Sequence, residues 1–165
     1  MKRFPMLAAA IAMVLAAVGP ASAVLGPAKP SDLVTISTIY DVHACAGGGL
    51  PNARAIGSRL LSDGSIAVFT VPAKQVFVIT SIEVQAATEA SYASDTVRVG
   101  IPCGPGCMTS IADIVVLTDA DGIGGGAIQF PLGFPVKPGV ALCVGDLLGS
   151  TDTTATVRGY FTKDR

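Results

Sequence analysis

Aromatic, histidine and charged residues are all scarce in this sequence. Tryptophan is absent, aromatic residues make up 5% of the chain, and charged residues make up 14%. Sugar-binding sites usually depend on exposed aromatic rings, so the sequence offers little for a carbohydrate-stacking platform. The formal net charge is −1 and no basic stripe occurs, which argues against nucleic acid and anionic membrane surfaces as partners.

Signatures of catalysis are also missing. His43 is the only histidine, and no Gly-x-Ser-x-Gly nucleophile elbow occurs. The glycine-rich segment 122–126 lacks the Lys-Ser/Thr pair of a phosphate-binding loop. We therefore expect no catalytic residues and no enzymatic activity.

Metal-ligand patterns are present but incomplete. Asp119 and Asp121 alternate like the first two ligands of a calcium loop, yet no further oxygen side chain and no distal glutamate follows. A second metal site would combine His43 and Cys45 with Cys103 and Cys107. Its cysteines would have to be free thiolates, and an export pathway tends to oxidise them. We expect no cofactor; if Ca²⁺ binds, Asp119 and Asp121 are the candidate ligands.

The N-terminal segment 1–23 has the three parts of a secretory signal peptide. Lys2 and Arg3 form a basic head, and Met6–Val18 is an apolar run. Ala21-Ser22-Ala23 is a small-x-small cleavage signature. The apolar run is short for a bilayer span, and no stop-transfer segment follows. We predict cleavage after Ala23, no membrane span afterwards, and a secreted or periplasmic protein.

The mature chain has the length of one domain with a full hydrophobic core. Residues 24–32 contain two prolines, so we predict that they form an extended leader and that residues 33–165 form a single domain. The net charge of this mature chain is about −3. Glycine, proline, threonine and valine are plentiful, which favours strands joined by tight turns.

Short strands follow one another along the domain, and no sustained helical period occurs after residue 23. The turn signals between them include Asp63-Gly64 and Pro135–Gly139. The pattern predicts an all-β, antiparallel sandwich or barrel of about eight to nine strands. The candidate strands are Leu33–Tyr40, Ile66–Val71, Gln75–Gln85, Thr96–Ile101, Ile111–Thr118, Ala127–Leu132, Val140–Val144 and Thr153–Thr162.

The even number of cysteines in an exported chain indicates disulfides. Cys103-Gly-Pro-Gly-Cys107 turns back sharply, which favours a Cys103–Cys107 bond and leaves Cys45 to pair with Cys143. The second bond closes a long loop, for which the chain-entropy model gives roughly 4–5 kcal/mol of stabilisation. The other pairings, and reduced thiols, remain the alternatives at this point.

The strand Gln75–Gln85 begins apolar on both faces. Val76 and Val78 alternate with Phe77 and Ile79, and a strand covered on both sides lies in a multilayer core or at a subunit contact. Phe77 and Ile79 are therefore our candidate residues for an interface with another copy, with ordinary core packing as the alternative.

Two stretches resemble secreted bacterial jelly-roll domains. They are Val71–Thr80, and Phe134–Val144 followed by Val157–Phe161, with a Pro-Gly turn before one strand and Gly-Tyr in the last. Similar endings occur in tumour-necrosis-factor-like and complement globular-head modules and in phage receptor-binding tips. The resemblance implies an antiparallel β-sandwich of jelly-roll type and a homo-oligomer, with a trimer as its form. It carries over no active site.

Three functions compete on this sequence. The first is an exported, non-catalytic structural or interaction module that self-associates, and it is the one we favour. The second is a lectin-like module that binds an extracellular glycan, a protein or a small ligand through the glycine-rich loops 46–50 and 122–126. The third is a secreted enzyme with an unrecognised site.

Overall fold

The computed structural model describes residues 32–39, 45, 49–50, 52–88, 91–147 and 152–164. The predicted signal peptide 1–23, almost all of the leader 24–32, and His43 lie outside the described residues. Within the described residues, no helix is long and apolar enough to cross a membrane.

Nine strands account for most of the described chain, and every pairing between them is antiparallel. This confirms the all-β expectation. In chain order they are β1 (Leu33–Thr38), β2 (Arg54–Leu60), β3 (Ile66–Val68), β4 (Gln75–Ala87), β5 (Ser94–Gly104), β6 (Cys107–Leu117), β7 (Ile123–Val136), β8 (Cys143–Asp146) and β9 (Asp152–Lys163).

The strands form two four-stranded layers. One layer has the order β1-β9-β4-β7 and the other β2-β8-β5-β6, while the β1–β2 pairing joins the two and β3 lies beside β2. Without the short β3, first strand neighbours last and second neighbours second-to-last, which is the double Greek-key order of a jelly roll. The structure is thus an antiparallel sandwich of jelly-roll type.

The core lies between the two layers. Phe77, Ile79 and Ile82 from the first layer and Val97 and Val144 from the second are fully buried in one cluster. The aromatic rings of Phe69, Phe77 and Phe161 close this core at the end where β4 begins, with 5.0 Å between the centroids of Phe69 and Phe77. Such burial supplies most of the stabilisation that folding requires.

A β-bulge in β4 changes which of its side chains face the core. The register with both neighbouring strands shifts between Ile79 and Ser81. As a result Phe77 and Ile79 point inward before the bulge, whereas Ile82 and Val84 point inward after it. The sequence predicts that side chains alternate between the two faces without interruption along this strand. That prediction is wrong, because the extra residue at position 80 moves the side chains after it to the opposite faces.

Both disulfides are formed, with the pairing that the sequence favoured: Cys45–Cys143 and Cys103–Cys107. Cys45 is buried against Cys143 on the outer side of β8. Leu50 covers the neighbouring Gly145, where an added Cβ would lie 3.2 Å from the Leu50 Cβ. The Cys45–Cys143 disulfide therefore fixes part of the β1–β2 connection over the outer face of the second layer.

Candidate self-association surface

The structure places the two predicted interface residues inside the protein. Phe77 and Ile79 are both 0% exposed and belong to the main core. Neither side chain is available to a second copy, so their assignment as interface residues is wrong. The other face of this part of β4 is also covered, because Val76 and Val78 form a small buried cluster with Tyr160.

Exposed aliphatic side chains instead gather around β3. Val68 is 80% exposed, Ile66 72%, Leu33 58% and Leu60 55%. Leu60 lies opposite both Ile66 and Thr35, and Val68 and Leu33 are two residues further along their strands, so all four share the outer face. We call Leu33, Leu60, Ile66 and Val68 the edge patch.

The backbone of β3 has no strand partner on one side among the described residues. Phe69 N–H donates to Gly57 O, and Leu61 N–H donates to Ser65 O, so the odd-numbered residues face β2. By the alternation of an antiparallel ladder, the N–H and C=O groups of Ile66 and Val68 point away from β2. Within the described chain β3 pairs with β2 alone.

The β2–β3 hairpin sets the position of this edge. Gly64 has φ of +84°, and the Asp63 carboxylate accepts hydrogen bonds from the N–H and hydroxyl of Ser65. These two hydrogen bonds lower the pKa of Asp63. The Asp-Gly turn signal in the sequence predicted this hairpin, but β3 proper is shorter than the predicted strand because Phe69 and Val71 turn in against the core.

The segment 65–71 carries no charged residue and no proline. Native sheet edges are normally protected from pairing by charged side chains, prolines or bulges. Here the first such residue is Pro72, beyond β3. This segment therefore has none of the charged residues or prolines that would hinder pairing with another strand.

An open cavity of about 510 Å³ adjoins the edge patch. Its lining includes side chains of β1, β2 and the hairpin: Leu33, Thr35, Arg59, Leu60, Leu61, Ser62 and Asp63. Arg59 is opposite Ile36, which is buried, so it occupies an inward-facing position of β2. Its guanidinium carbon lies 5.3 Å from the centre of the Phe161 ring, a cation–π contact.

The other arginines of the described chain have carboxylate partners. Arg54 pairs with Asp152, Arg98 with Asp113, and Arg158 with Glu83. Hydrogen bonding to Arg98 lowers the pKa of Asp113, and hydrogen bonding to Arg158 lowers the pKa of Glu83.

Arg59 has no such partner among the described residues. Its Nε atom is buried without a hydrogen bond. Unsatisfied buried donors are rare in native proteins and call for an explanation.

The predicted calcium candidates close a turn. One carboxylate oxygen of Asp119 accepts hydrogen bonds from the backbone N–H groups of Asp121 (2.9 Å) and Ile123 (3.0 Å). In the part of the chain that is described, no three His, Cys, Asp or Glu side chains are grouped as metal ligands. The geometry is that of an Asx turn, which satisfies backbone donors locally.

The second glycine-rich loop has a packing role. An added Cβ at Gly124 would lie within 3 Å of Leu117 O, and one at Gly126 would meet Ile114. These glycines let β7 approach β6 closely, so they do not form an open ligand loop. Of the first loop, residues 46–48 lie outside the described residues.

Comparison with known proteins gives a distant likeness to a solved structure. No protein-family model and no curated protein matches the sequence. A cryo-EM structure of a virus-like particle of the extra small virus of the giant freshwater prawn Macrobrachium rosenbergii matches with 12% identity and a TM-score of 0.41. The match covers 89% of this chain and 88% of that one. A likeness of this extent identifies neither a family nor a function.

Proposed function

We propose that this protein is an exported, non-catalytic structural module that self-associates through the free edge of β3 and the edge patch. The observation that carries the proposal is the coincidence of backbone groups that have no partner among the described residues with four exposed aliphatic side chains. A single contact that buries both kinds of group removes apolar surface from water and gives the outward-facing N–H and C=O groups of β3 hydrogen-bond partners.

A second copy of the chain fits this edge by symmetry. A two-fold axis through Ala67 sets Ile66 of one copy opposite Val68 of the other, and the reverse. Each such pair exchanges two backbone hydrogen bonds, because these are the residues whose polar groups face outward. A two-fold contact presents the same surface on both sides, so every copy carries the complete interface.

Export and the lack of catalysis belong to the same proposal. The secretory-type N-terminal segment predicts export, and two disulfides are compatible with an oxidising compartment. The trimer implied by the family resemblance is the alternative to a two-fold dimer.

Sedimentation velocity of purified protein at micromolar concentrations tests the proposal. We expect a mass above that of the monomer for the natural chain and a monomer for Val68→Lys, because the lysine places a charge in the contact. Leu132→Lys is the matched control, since Leu132 is 83% exposed but lies on β7. It should keep the oligomer.

A monomeric natural chain would refute self-association. Loss of the oligomer in both lysine variants would refute the assignment to β3. If the natural chain had the mass of a trimer and Val68→Lys were monomeric, the assignment of this surface would stand, but the two-fold geometry would be replaced by a three-fold one.

A further inference from the structure

We propose that the cavity beside Arg59 binds a small monocarboxylate with an aliphatic body. This inference does not require self-association, although the cavity shares Leu33 and Leu60 with the edge patch, so binding is measured in monomeric Val68→Lys as well as in the natural chain. It rests on an arginine that lines a cavity and has no acidic partner among the described residues, whereas the other described arginines all have one.

The position of Arg59 is the first step of the inference. An inward-facing site on β2, opposite buried Ile36, is normally filled by an apolar residue. The Phe161 ring supports the guanidinium from one face but accepts no conventional hydrogen bond. The guanidinium is thus packed against an aromatic ring, and its buried Nε–H has no hydrogen-bond partner among the described residues.

The chemistry of the guanidinium selects the ligand's head group. Its planar fork of N–H donors matches the two oxygens of a carboxylate, and a charge-assisted pair of this kind is stronger than a neutral one. Thr35 and Ser62 also line the cavity, and each carries a hydroxyl group. A carboxylate would therefore satisfy the arginine and find further donors.

The remaining walls select the ligand's body and its charge. Leu33, Leu60 and Leu61 line the cavity and suit an aliphatic chain. Asp63 is at the same cavity, and its carboxylate repels a second negative charge. A singly charged amphiphile fits this combination better than a dianionic phosphate. The volume of about 510 Å³ is within the usual range of small-molecule sites.

Hexanoate is a suitable probe, with hexanol, hexylamine and hexyl phosphate as comparison compounds. We expect hexanoate to shift the Arg59 Nε–H resonance in a ¹⁵N-labelled sample and to give saturable binding by calorimetry. Hexanol and hexylamine should not bind at the same concentrations. Hexyl phosphate should bind more weakly than hexanoate because of Asp63.

Variants identify the groups responsible. Arg59→Gln should weaken hexanoate binding by about tenfold or more, the loss expected for a charge-assisted pair. Asp63→Asn should tighten it, because one repelling charge is removed. Arg158→Gln is the control, since that arginine is surface-exposed and paired with Glu83. It should bind as the natural chain does.

The proposal is overturned if hexanoate gives no saturable binding to the folded natural chain, or if Arg59→Gln binds it equally well. Arg59→Lys, which keeps the charge and loses the fork, guards against a merely misfolded glutamine variant and should bind at intermediate strength. Binding should persist in Val68→Lys, whose substitution lies outside the cavity lining, so a failure of self-association leaves this test intact.

Discussion

Close packing restricts the residue type at Gly159, where β9 lies against β4 and the large side chain of Phe77. Gly159 in β9 faces Phe77 in β4, and an added Cβ would lie within 3 Å of the Phe77 ring and of the Val78 carbonyl oxygen. Backbone cannot move aside cheaply within a paired sheet, so the glycine is required by close packing.

Gly159→Ala should lower the free energy of unfolding by about 3 kcal/mol, the upper range for overpacking a core. Gly57→Ala is the matched control, because Gly57 is also in a strand but an added Cβ there meets only the Ile39 side chain, at 3.3 Å. Urea unfolding of both variants measures the difference. Equal stabilities would show that β4 and β9 are not packed as described.

Asp113 shows how a single ion pair sets acid sensitivity. The Arg98 side chain, by hydrogen bonding, holds the pKa of Asp113 below its ordinary value of 3.8. A carboxylate with a lowered folded-state pKa stabilises the fold above its ordinary pKa, and this contribution is lost as the pH falls through the folded-state value.

We expect unfolding free energies that hold steady near neutral pH and fall below about pH 4. Part of that fall should be missing in Asp113→Asn, which has no proton to gain at this position. Carboxyl-carbon NMR titration gives the direct measurement. A midpoint for Asp113 above 3.8 would contradict the pairing with Arg98.

At the scale of elements, the two disulfides differ in the length of chain they close. Cys45 and Cys143 are 98 residues apart, whereas Cys103 and Cys107 are 4 apart. In the chain-entropy model, stabilisation grows with the logarithm of the loop length. The long closure also fixes the β1–β2 connection against β8, so its removal affects contacts between elements.

Replacing Cys45 and Cys143 by alanine should lower the unfolding free energy by about 2–3 kcal/mol more than replacing Cys103 and Cys107. Denaturant unfolding of the two double variants is the measurement, with the natural chain as reference. A larger effect from the short loop would mean that the β5–β6 turn, and not the long closure, limits stability.

Much of the element level could be predicted from the sequence, because its causes are local. The Asp63-Gly64 hairpin, the turn with positive φ at Gly139 and the alternation in β5 follow from residue types and spacing. The assignment of Phe77 and Ile79 failed because a one-residue bulge in β4 depends on both partner strands. Such a shift leaves no mark on the strand's own sequence.

The candidate sites were beyond sequence reasoning for a related reason. Val68 is an ordinary apolar residue until the sheet order shows that β3, within the described part of the chain, has a neighbour on one side only. Arg59 is an ordinary charged residue until its register opposite Ile36 turns it inward. The absence of charge and proline from residues 65–71 was the one local signal available.

For the whole molecule, the order of the strands leaves β3 at an exposed edge of the sheet. Each long strand of the first layer except β7 has neighbours on both sides, whereas β3 ends its side of the sheet with apolar side chains exposed. We expect a molecule built in this way to lower its free energy by pairing with its own copy.

Amide hydrogen exchange at Ile66 and Val68, followed by NMR, tests this claim most directly. These two amides point away from β2 and have no partner among the described residues, so we expect a strand of a second copy to protect them. We predict slow exchange in the associated natural chain and fast exchange in monomeric Val68→Lys, with the Phe69 amide protected in both by Gly57. Fast exchange at Ile66 and Val68 in an associated sample would contradict the account.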